Sequence, residues 1–191
     1  MDQCNINFTS KQGQDKWVID VLKYKNGGYF VDIGASDGIR NSNTCALEKN
    51  FNWTGVCVEH NTNLRAFPSL KANRKCICDH SCIYSENIEV DFVNRGRKVE
   101  TSGIYFDGAS NTVHYLVEQA KHGTIKIKAI TLLELLNKYA APKIVDYLSI
   151  DAEGAEWEIL KNFDFSKYAF KTITVENNFN GDENNKEEKL H

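Results

Sequence analysis

The sequence has only two prolines in 191 residues, and no stretch rich in proline, glycine or serine that would link two domains. It also lacks an internal repeat, so its elements are expected to form one sheet with helices. Hydrophobic residues make up 41% and charged residues 26% of the chain, as in ordinary globular proteins. A chain of this length can bury an adequate core, and we predict one domain. The predicted division is a helical cap at 1–28, a core at 29–177 and a polar segment at 178–191.

An excess of positive charge is also missing, since the formal net charge is -3. Without a basic surface to follow a phosphate backbone, nucleic acid is not expected as a partner. No apolar run approaches the ~20 residues needed to cross a bilayer, and the first residues lack the features of a secretory signal. We therefore expect no membrane partner and a cytoplasmic location. The oligomeric state is left open.

Six cysteines in a chain without a predicted secretory signal are expected to be reduced. Cys76, Cys78, His80 and Cys82 alternate along one extended segment, which resembles a set of zinc ligands. Ligands spread over ~20 Å of strand cannot close a tetrahedron around one ion. We therefore interpret the cysteines as buried thiols.

Short runs of β-branched and aromatic residues alternate along the chain with segments of helical periodicity. The predicted strands are Tyr29–Ile33, Thr54–Glu59, Lys75–Ile83, Glu89–Val93, Thr124–Lys128, Ile144–Ile150 and Lys171–Val175. The predicted helices are Lys16–Tyr24, one that opens at Thr44, Thr62–Asn73, Thr131–Ala140 and Glu153–Asn162. The alternation predicts an α/β, Rossmann-like fold in which helices cover both faces of a mostly parallel sheet.

Polar residues follow the predicted strands, and these residues define the candidate site. In open α/β sheets, ligands bind beyond the carboxyl ends of the strands. The residues at those ends are Asp32–Gly38, Glu59–His60, Asp79–Cys82, Asp151 and Glu176–Asn177.

The loop after the first strand begins with Asp32 and continues through Gly34, Ser36 and Asp37. A nicotinamide dinucleotide would place its pyrophosphate at the following helix, where Asp32 and Asp37 would repel it. S-adenosylmethionine has no phosphate and carries a cationic amino group and a sulfonium, so nearby carboxylates favour its binding. The loop therefore indicates S-adenosylmethionine, and the alternative is a tight turn between strand and helix.

Glu59 ends the second strand, where its two carboxylate oxygens can accept hydrogen bonds from both ribose hydroxyls. Its neighbour His60 belongs to the same candidate set. After the third strand, Asp79, Ser81 and Cys82 can contact the adenine. An ordinary solvated loop is the alternative interpretation of these three residues.

Asp151 and Glu176 end two strands that are consecutive in the predicted sheet, so their oxygens are expected to meet beside the transferred methyl group. Together with Asn177 they form a set that can hold Mg²⁺ or another divalent cation. Such a cation would lower the pKa of a substrate hydroxyl. Without a metal, Asp151 or Glu153 can act as a general base. For Glu156, stabilisation of the helix dipole is the preferred interpretation.

Six segments of the chain match one family in sequence and in order. They are SKQGQD (10–15), YFVDIGASDGIRNSNT (29–44), GVCVEHN (55–61), TSGI (101–104), DYLSIDAEGAEWEILKNFDF (146–165) and ITVEN (173–177). These segments resemble the FkbM family of S-adenosylmethionine-dependent methyltransferases, most of which methylate hydroxyl oxygens of sugars and natural products.

The resemblance implies a class I methyltransferase fold with an FkbM-like activity. It implies cofactor contacts at Asp32, Gly34, Ser36 and Glu59, with Gln12 or Ser42 in addition, and it puts Asp151 at the methyl-transfer face. Such folds continue into a closing β-hairpin after the strand that ends at Glu176, and here the hairpin is expected to be incomplete.

The function expected from these features is O-methylation of a sugar or glycan hydroxyl. The alternatives are O-methylation of a small natural product, a cofactor-binding module without catalysis, and an NAD-dependent oxidoreductase, which Asp32 disfavours.

Overall fold

A parallel five-stranded sheet forms the centre of the protein. The computed structural model describes residues 6–94, 102–105, 120–121 and 123–177. The strands of this sheet are β1 (Tyr29–Ile33), β2 (Thr54–Val58), β3 (Ile77–Asp79), β8 (Ile144–Ile150) and β9 (Ala169–Val175). Their order is β3-β2-β1-β8-β9, and every pair is parallel. The prediction of a mostly parallel central sheet is therefore confirmed.

A second, mixed sheet contradicts the expectation of one sheet. Its strands are β4 (Cys82–Tyr84), β5 (Glu89–Val93), β6 (Gly103–Tyr105) and β7 (Ile125–Thr131), in the order β4-β7-β5-β6. β5 pairs antiparallel with both β6 and β7, whereas β4 pairs parallel with β7. Segments that each predicted a strand thus pair with one another instead of extending the central sheet.

The predicted strand Lys75–Ile83 is in fact two strands in different sheets. β3 ends at Asp79, whose side-chain Oδ1 accepts a hydrogen bond from the backbone N–H of Ser81 at 2.5 Å. This turn redirects the chain, so β4 begins at Cys82 in the second sheet. The apolar pattern of the segment is continuous, and only the turn separates its two halves.

Helices cover both faces of the central sheet, as predicted. They are α1 (Gln14–Val21), α2 (Cys45–Phe51), α3 (Phe67–Asn73), α4 (Leu132–Lys138) and α5 (Glu156–Lys161). Buried residues of the first three pack in one core with Phe30, while those of α4, α5 and the second sheet pack in another with Val31 and Ile33. Successive residues of β1 point to opposite faces, so this one strand contributes to both cores.

Two helices begin later than predicted, one because of local side-chain hydrogen bonds and the other because of its backbone conformation. Asn61 and Asn63 accept hydrogen bonds from the backbone N–H groups of Asn63 and Arg65, at 2.9 and 3.1 Å, and these turns delay the start of α3. The helix predicted from Glu153 begins only at Glu156, because Glu153 (φ 54°) and Gly154 (φ 102°) have left-handed backbone conformations.

α1 begins and ends earlier than predicted, and α4 has a side-chain cap at its start. α1 begins at Gln14 and ends at Val21, before Lys23 and Tyr24, whose φ angles are positive. At the start of α4 the Thr131 hydroxyl accepts a hydrogen bond from the N–H of Glu134 at 3.1 Å and so caps the helix, while the N–H of Thr131 donates to Asn87 Oδ1 at 2.9 Å.

The predicted polar segment 178–191, and with it the expected incomplete hairpin, lies outside the described residues. The division of the chain into cap, core and polar segment stays a prediction. None of the described helices has the length and apolar character needed to span a bilayer.

Candidate active site

A cavity of about 390 Å³ opens at the carboxyl ends of the central strands. It brings together most of the candidate residues from distant parts of the chain. Those that line it are Gln12, Asp32, Gly34, Ser36, Ser42, Glu59, His60, Ser81, Cys82, Asp151, Glu153 and Glu176. The sequence therefore predicted the location of the cavity, while the binding role of each residue stays a prediction.

Gly34 allows β1 and β8 to approach each other at the floor of the cavity. Its φ angle is +84°, and a Cβ atom added there would lie 1.8 Å from the backbone oxygen of Asp151. The N–H of Asp151 in turn donates to the carbonyl of Ile33 at 2.9 Å. A side chain at position 34 would push the Asp151 backbone out of this arrangement.

Asp32 is buried and fixes the start of α2 behind the cavity wall. Its Oδ2 accepts a hydrogen bond from the Thr44 hydroxyl at 2.6 Å, and Thr44 also accepts one from the Arg74 guanidinium at 3.0 Å. Burial raises the pKa of Asp32, although the Thr44 hydrogen bond and the charge of Arg74 oppose this effect. Asp32 therefore stabilises the loop as well as lining the cavity.

Glu59 is held rigidly against the glycine loop. Its Oε2 accepts a hydrogen bond from the backbone N–H of Ser36 at 2.9 Å, and its Oε1 accepts one from the N–H of Asn61 at 2.7 Å. Burial raises the pKa of Glu59 to about 7, although these two hydrogen bonds oppose the shift. Each oxygen keeps a lone pair for a further donor.

Another wall of the cavity is aromatic and weakly polar. His60 lies edge-on against Phe92, with 4.9 Å between the ring centroids, and its Nδ1 is 2.8 Å from the carbonyl oxygen of His80. Burial lowers the pKa of His60 and raises the pKa of Cys82 to about 12, so both side chains are neutral at pH 7. This wall suits a flat, uncharged heterocycle such as adenine.

Three carboxylates form the opposite end of the cavity. One oxygen each from Asp151, Glu153 and Glu176 lies within 4.8 Å of the others. Asp151 and Glu176 follow Ile150 and Val175, which are partners in the register of β8 and β9. The predicted meeting of these two side chains is therefore confirmed.

The two neighbouring acids strongly affect the pKa of Asp151. Burial raises the pKa of Asp151 well above its usual range, and a hydrogen bond with Glu176 and the charges of Glu176 and Glu153 raise it further. Three carboxylates so close together require a proton or a cation to offset their repulsion. The cluster is thus able to hold a proton at neutral pH or to bind a metal ion.

Glu156 supports the turn that carries the acidic cluster. Its Oε1 accepts hydrogen bonds from the backbone N–H groups of Ala152 and Gly154, at 2.9 and 3.1 Å. These N–H groups precede α5, so Glu156 stabilises the start of the helix, in line with the preferred interpretation from the sequence.

Three predicted site residues do not line the cavity. Asp37 accepts hydrogen bonds from the N–H groups of Ile39 and Arg40, at 2.9 and 2.8 Å, and therefore closes its own loop. Asn177 is exposed, and Glu153 takes the third position in the acidic cluster.

Asp79 is the third residue, and its side chain is occupied by partners within the protein. Its Oδ2 accepts hydrogen bonds from the Lys138 ammonium at 2.6 Å and the Tyr139 hydroxyl at 2.5 Å. Burial would raise the pKa of Asp79, but these hydrogen bonds and those from Ser81 outweigh it and lower the pKa to about 2. Asp79 is therefore an internal ion-pair partner.

The alternating cysteines and His80 form no metal site. Within the described ranges, the cluster of Asp151, Glu153 and Glu176 is the only group of acidic, His or Cys residues close enough to share a metal ion. The cysteines in these ranges are free; Cys45, Cys57 and Cys82 are buried, whereas Cys76 and Cys78 are only half-buried, so the interpretation as buried thiols does not hold for these two.

Several lining residues were missed by sequence reasoning, among them Lys11, Arg40, Asn43, Phe92 and Ile104. Phe92 and Ile104 reach the cavity because β5 pairs with β6, and no local pattern signals that pairing. Asn43 lies within the polar loop after β1, whose composition was the available signal.

The parallel sheet, its strand order and the cavity at its carboxyl edge define the class I methyltransferase fold. The sequence profile described as "Methyltransferase FkbM domain" matches residues 32–190. The chain therefore belongs to the FkbM family of methyltransferases. Comparisons with curated proteins and with solved structures give no significant match.

Proposed function

We propose that the protein is an S-adenosylmethionine-dependent O-methyltransferase whose acceptor is a hydroxyl of a sugar or glycan. The observation that carries this proposal is the distribution of acidic groups in one cavity. Glu59 follows β2, Asp32 lies in the central strand β1, and Asp151, Glu153 and Glu176 follow β8 and β9. These five acidic residues outnumber the lysine and arginine of the lining, Lys11 and Arg40, so the cavity suits a cofactor with hydroxyl donors and positive charges better than one with a pyrophosphate.

The residues present fit this cofactor. The cavity volume of about 390 Å³ is within the ~300–1,000 Å³ typical of small-molecule sites. The remaining lone pairs of Glu59 can accept hydrogen bonds from two ribose hydroxyls, while the wall formed by His60, Cys82 and Phe92 accommodates the adenine. The acidic cluster then faces the ammonium and sulfonium groups of the cofactor.

When bound, S-adenosylmethionine supplies a methyl group to an oxygen nucleophile, with release of S-adenosylhomocysteine and the proton of the acceptor hydroxyl. The chain must orient the hydroxyl and take up that proton. Asp151 is suited to the second task in its ionised form, because a carboxylate with a raised pKa accepts a proton readily, and the positive charge of the bound cofactor favours that ionised form. Glu176, which shares a hydrogen bond with Asp151, holds that carboxyl in place.

We include a second possibility, in which a divalent cation, and not a proton, offsets the repulsion among Asp151, Glu153 and Glu176. Carboxylate oxygens are the ligands that Mg²⁺ prefers, and oxygens bound to one ion at ~2.1 Å lie up to ~4.2 Å apart. The 4.8 Å span of Asp151, Glu153 and Glu176 is close to that limit. A bound cation would activate the acceptor hydroxyl directly, and Asp151 would then be a ligand instead of a base.

Calorimetric titration with S-adenosylhomocysteine and with NAD tests the cofactor. We expect the first to bind and the second not to compete, and absence of S-adenosylhomocysteine binding would overturn the proposal. Activity is measured as S-adenosylhomocysteine released in the presence of sugars, glycans and small phenolic or polyketide acceptors. Turnover with the last group alone would replace the glycan by a natural product as the acceptor.

Asp151→Asn separates catalysis from binding. We expect turnover to fall by ~10²–10⁴ while S-adenosylhomocysteine affinity changes little. Glu86→Gln is the matched control, because Glu86 is exposed and does not line the cavity. If Asp151→Asn leaves turnover unchanged, the catalytic role is wrong. Loss of activity in EDTA that Mg²⁺ restores identifies the metal alternative.

A further inference from the structure

A second cavity, of about 460 Å³, lies on the other side of the acidic cluster. It is formed by the start of α1 and the carboxyl ends of β8 and β9. The residues that line it are Gln12, Gly13, Gln14, Trp17, Asn43, Ile150, Asp151, Ile173, Thr174, Val175 and Glu176. Asp151 and Glu176 line both cavities, so the two spaces meet at these carboxylates.

We infer that this second cavity binds the acceptor, and that the acceptor is an uncharged glycosyl residue that stacks on Trp17. The inference rests on the proposed function, and it specifies where the substrate binds and what its charge is. Methyl transfer requires the cofactor and the acceptor hydroxyl to meet, and the wall shared by the two cavities is the place where they can do so.

The charges of the second cavity select against anionic acceptors. Among the described residues that line it there is no lysine, arginine or histidine, and the ionisable side chains are Asp151 and Glu176. A sugar phosphate or a uronic acid would find no cation there and would be repelled by the two acids. An uncharged sugar meets no such penalty.

The remaining groups match a polyhydroxylated ring. The side chains of Gln12, Gln14 and Asn43 offer amide donors and acceptors to hydroxyl groups. Trp17 is 46% exposed and contributes an indole to the same cavity. The C–H groups on one face of a sugar pack against an aromatic ring, while the hydroxyls at its edge remain free for hydrogen bonds.

A buried oxygen of Asn43 provides independent support for a ligand at the shared wall. Its Nδ2 donates to the Ser149 hydroxyl at 2.9 Å, while its Oδ1 is buried and has no hydrogen-bond partner among the described residues. A buried acceptor without a hydrogen-bond partner destabilises the folded state. Asn43 lines both cavities, so a ligand hydroxyl at the shared wall would satisfy this atom.

Tryptophan fluorescence provides a binding test that does not depend on turnover. The background is the Trp157→Phe variant saturated with S-adenosylhomocysteine, because Trp157 is 64% exposed and lines neither cavity. The probes are methyl glycosides of uncharged hexoses, deoxyhexoses and pentoses, each compared with the corresponding uronic acid or sugar phosphate. In this background the emission comes from Trp17 and from Trp53, which is buried and lines neither cavity. We expect at least one uncharged glycoside to change this emission, and its charged counterpart to bind at least about tenfold more weakly.

Two substitutions of Trp17 complete the test. We expect Trp17→Ala to raise the acceptor KM roughly five- to tenfold, with the Kd of S-adenosylhomocysteine unchanged, and Trp17→Tyr to restore most of the loss. The matched control, Trp157→Ala, should leave the acceptor KM unchanged. An equal rise in KM for both alanine variants would overturn the assignment.

The test distinguishes failure of this inference from failure of the proposed function. If S-adenosylhomocysteine binds but no uncharged glycoside changes this emission, the acceptor site is wrong and the cofactor site stands. Preferential binding of the charged sugars also overturns the inference. If S-adenosylhomocysteine itself does not bind, the proposed function fails first.

Discussion

Acidification from pH 8 to pH 6 is expected to weaken the binding of S-adenosylhomocysteine, because Glu59 gains a proton in this range. Burial raises the pKa of this carboxyl to about 7 from an ordinary 4.5. Only the ionised carboxylate can accept hydrogen bonds at both oxygens from ribose hydroxyls while also accepting those from Ser36 and Asn61. Protonation of Glu59 therefore lowers the fraction of protein molecules that can bind S-adenosylhomocysteine.

The size of the effect follows from the fraction of ionised Glu59. With a pKa of about 7, roughly nine-tenths of the molecules are ionised at pH 8 and roughly one-tenth at pH 6. The apparent Kd varies inversely with the competent fraction, so it should rise roughly tenfold between these pH values. By linkage, cofactor binding should also lower the pKa of Glu59.

Isothermal titration at pH 6, 7 and 8 measures this change, with Glu59→Gln as the diagnostic variant. The glutamine cannot ionise and loses a charged acceptor, so its Kd at pH 8 should be roughly ten- to a hundredfold higher and nearly independent of pH. Glu86→Gln, which alters an exposed acid outside the cavity, should behave as the wild type. The reasoning is refuted if Glu59→Gln keeps the tenfold pH dependence, since another group would then be responsible.

Three further substitutions test particular residues of the site. Gly34→Ala should destabilise the fold by at least about 3 kcal/mol in urea unfolding, because its Cβ would overlap the Asp151 carbonyl and its φ is positive. Asp79→Asn should lower the free energy of unfolding by about 2 kcal/mol at pH 7, because the ion pair with Lys138 is lost, while the Kd of S-adenosylhomocysteine stays within about twofold. The Asp79 contribution is present above its unfolded pKa of 3.8 and is lost as the pH falls toward 2. Asp37→Asn should leave that Kd within about threefold, since Asp37 does not line the cavity, and calorimetry measures it.

Each of these predictions has an outcome that contradicts it. A stable Gly34→Ala protein with full cofactor affinity would show that the approach of β1 and β8 is not needed. If Asp79→Asn or Asp37→Asn greatly weakens the binding of S-adenosylhomocysteine without a matching loss of stability, the substituted residue does contribute to the cofactor site.

Local sequence patterns predicted most of the central sheet. The bounds of β1 and β8 agree with the prediction, because each is an apolar run bounded by polar residues and is buried on both faces. Polar residues after those strands indicated the cavity, since parallel strands deliver their carboxyl ends to one edge. The meeting of Asp151 with Glu176 followed from the same rule.

The second sheet could not be predicted in this way. Glu89–Val93 was recognised as a strand, but its pairing with β6 and β7 depends on contacts between segments far apart in the chain. The turn at Asp79 depends on a side-chain hydrogen bond to Ser81, and the continuous apolar pattern of the segment conceals it.

The sequence by itself determined the order of the elements, the family and the edge of the sheet at which ligands are expected, because periodicity and strand-end polarity are local properties. The tertiary structure decided which acids face the cavity. The Asp37 side chain accepts hydrogen bonds from its own loop, and the Asp79 side chain accepts one from Lys138, because the folded chain brings these donors near them. Glu153 lies close to Asp151 in the cavity instead. The tertiary structure alone also placed Trp17 beside the acidic cluster, since α1 is distant from both β8 and β9 in sequence.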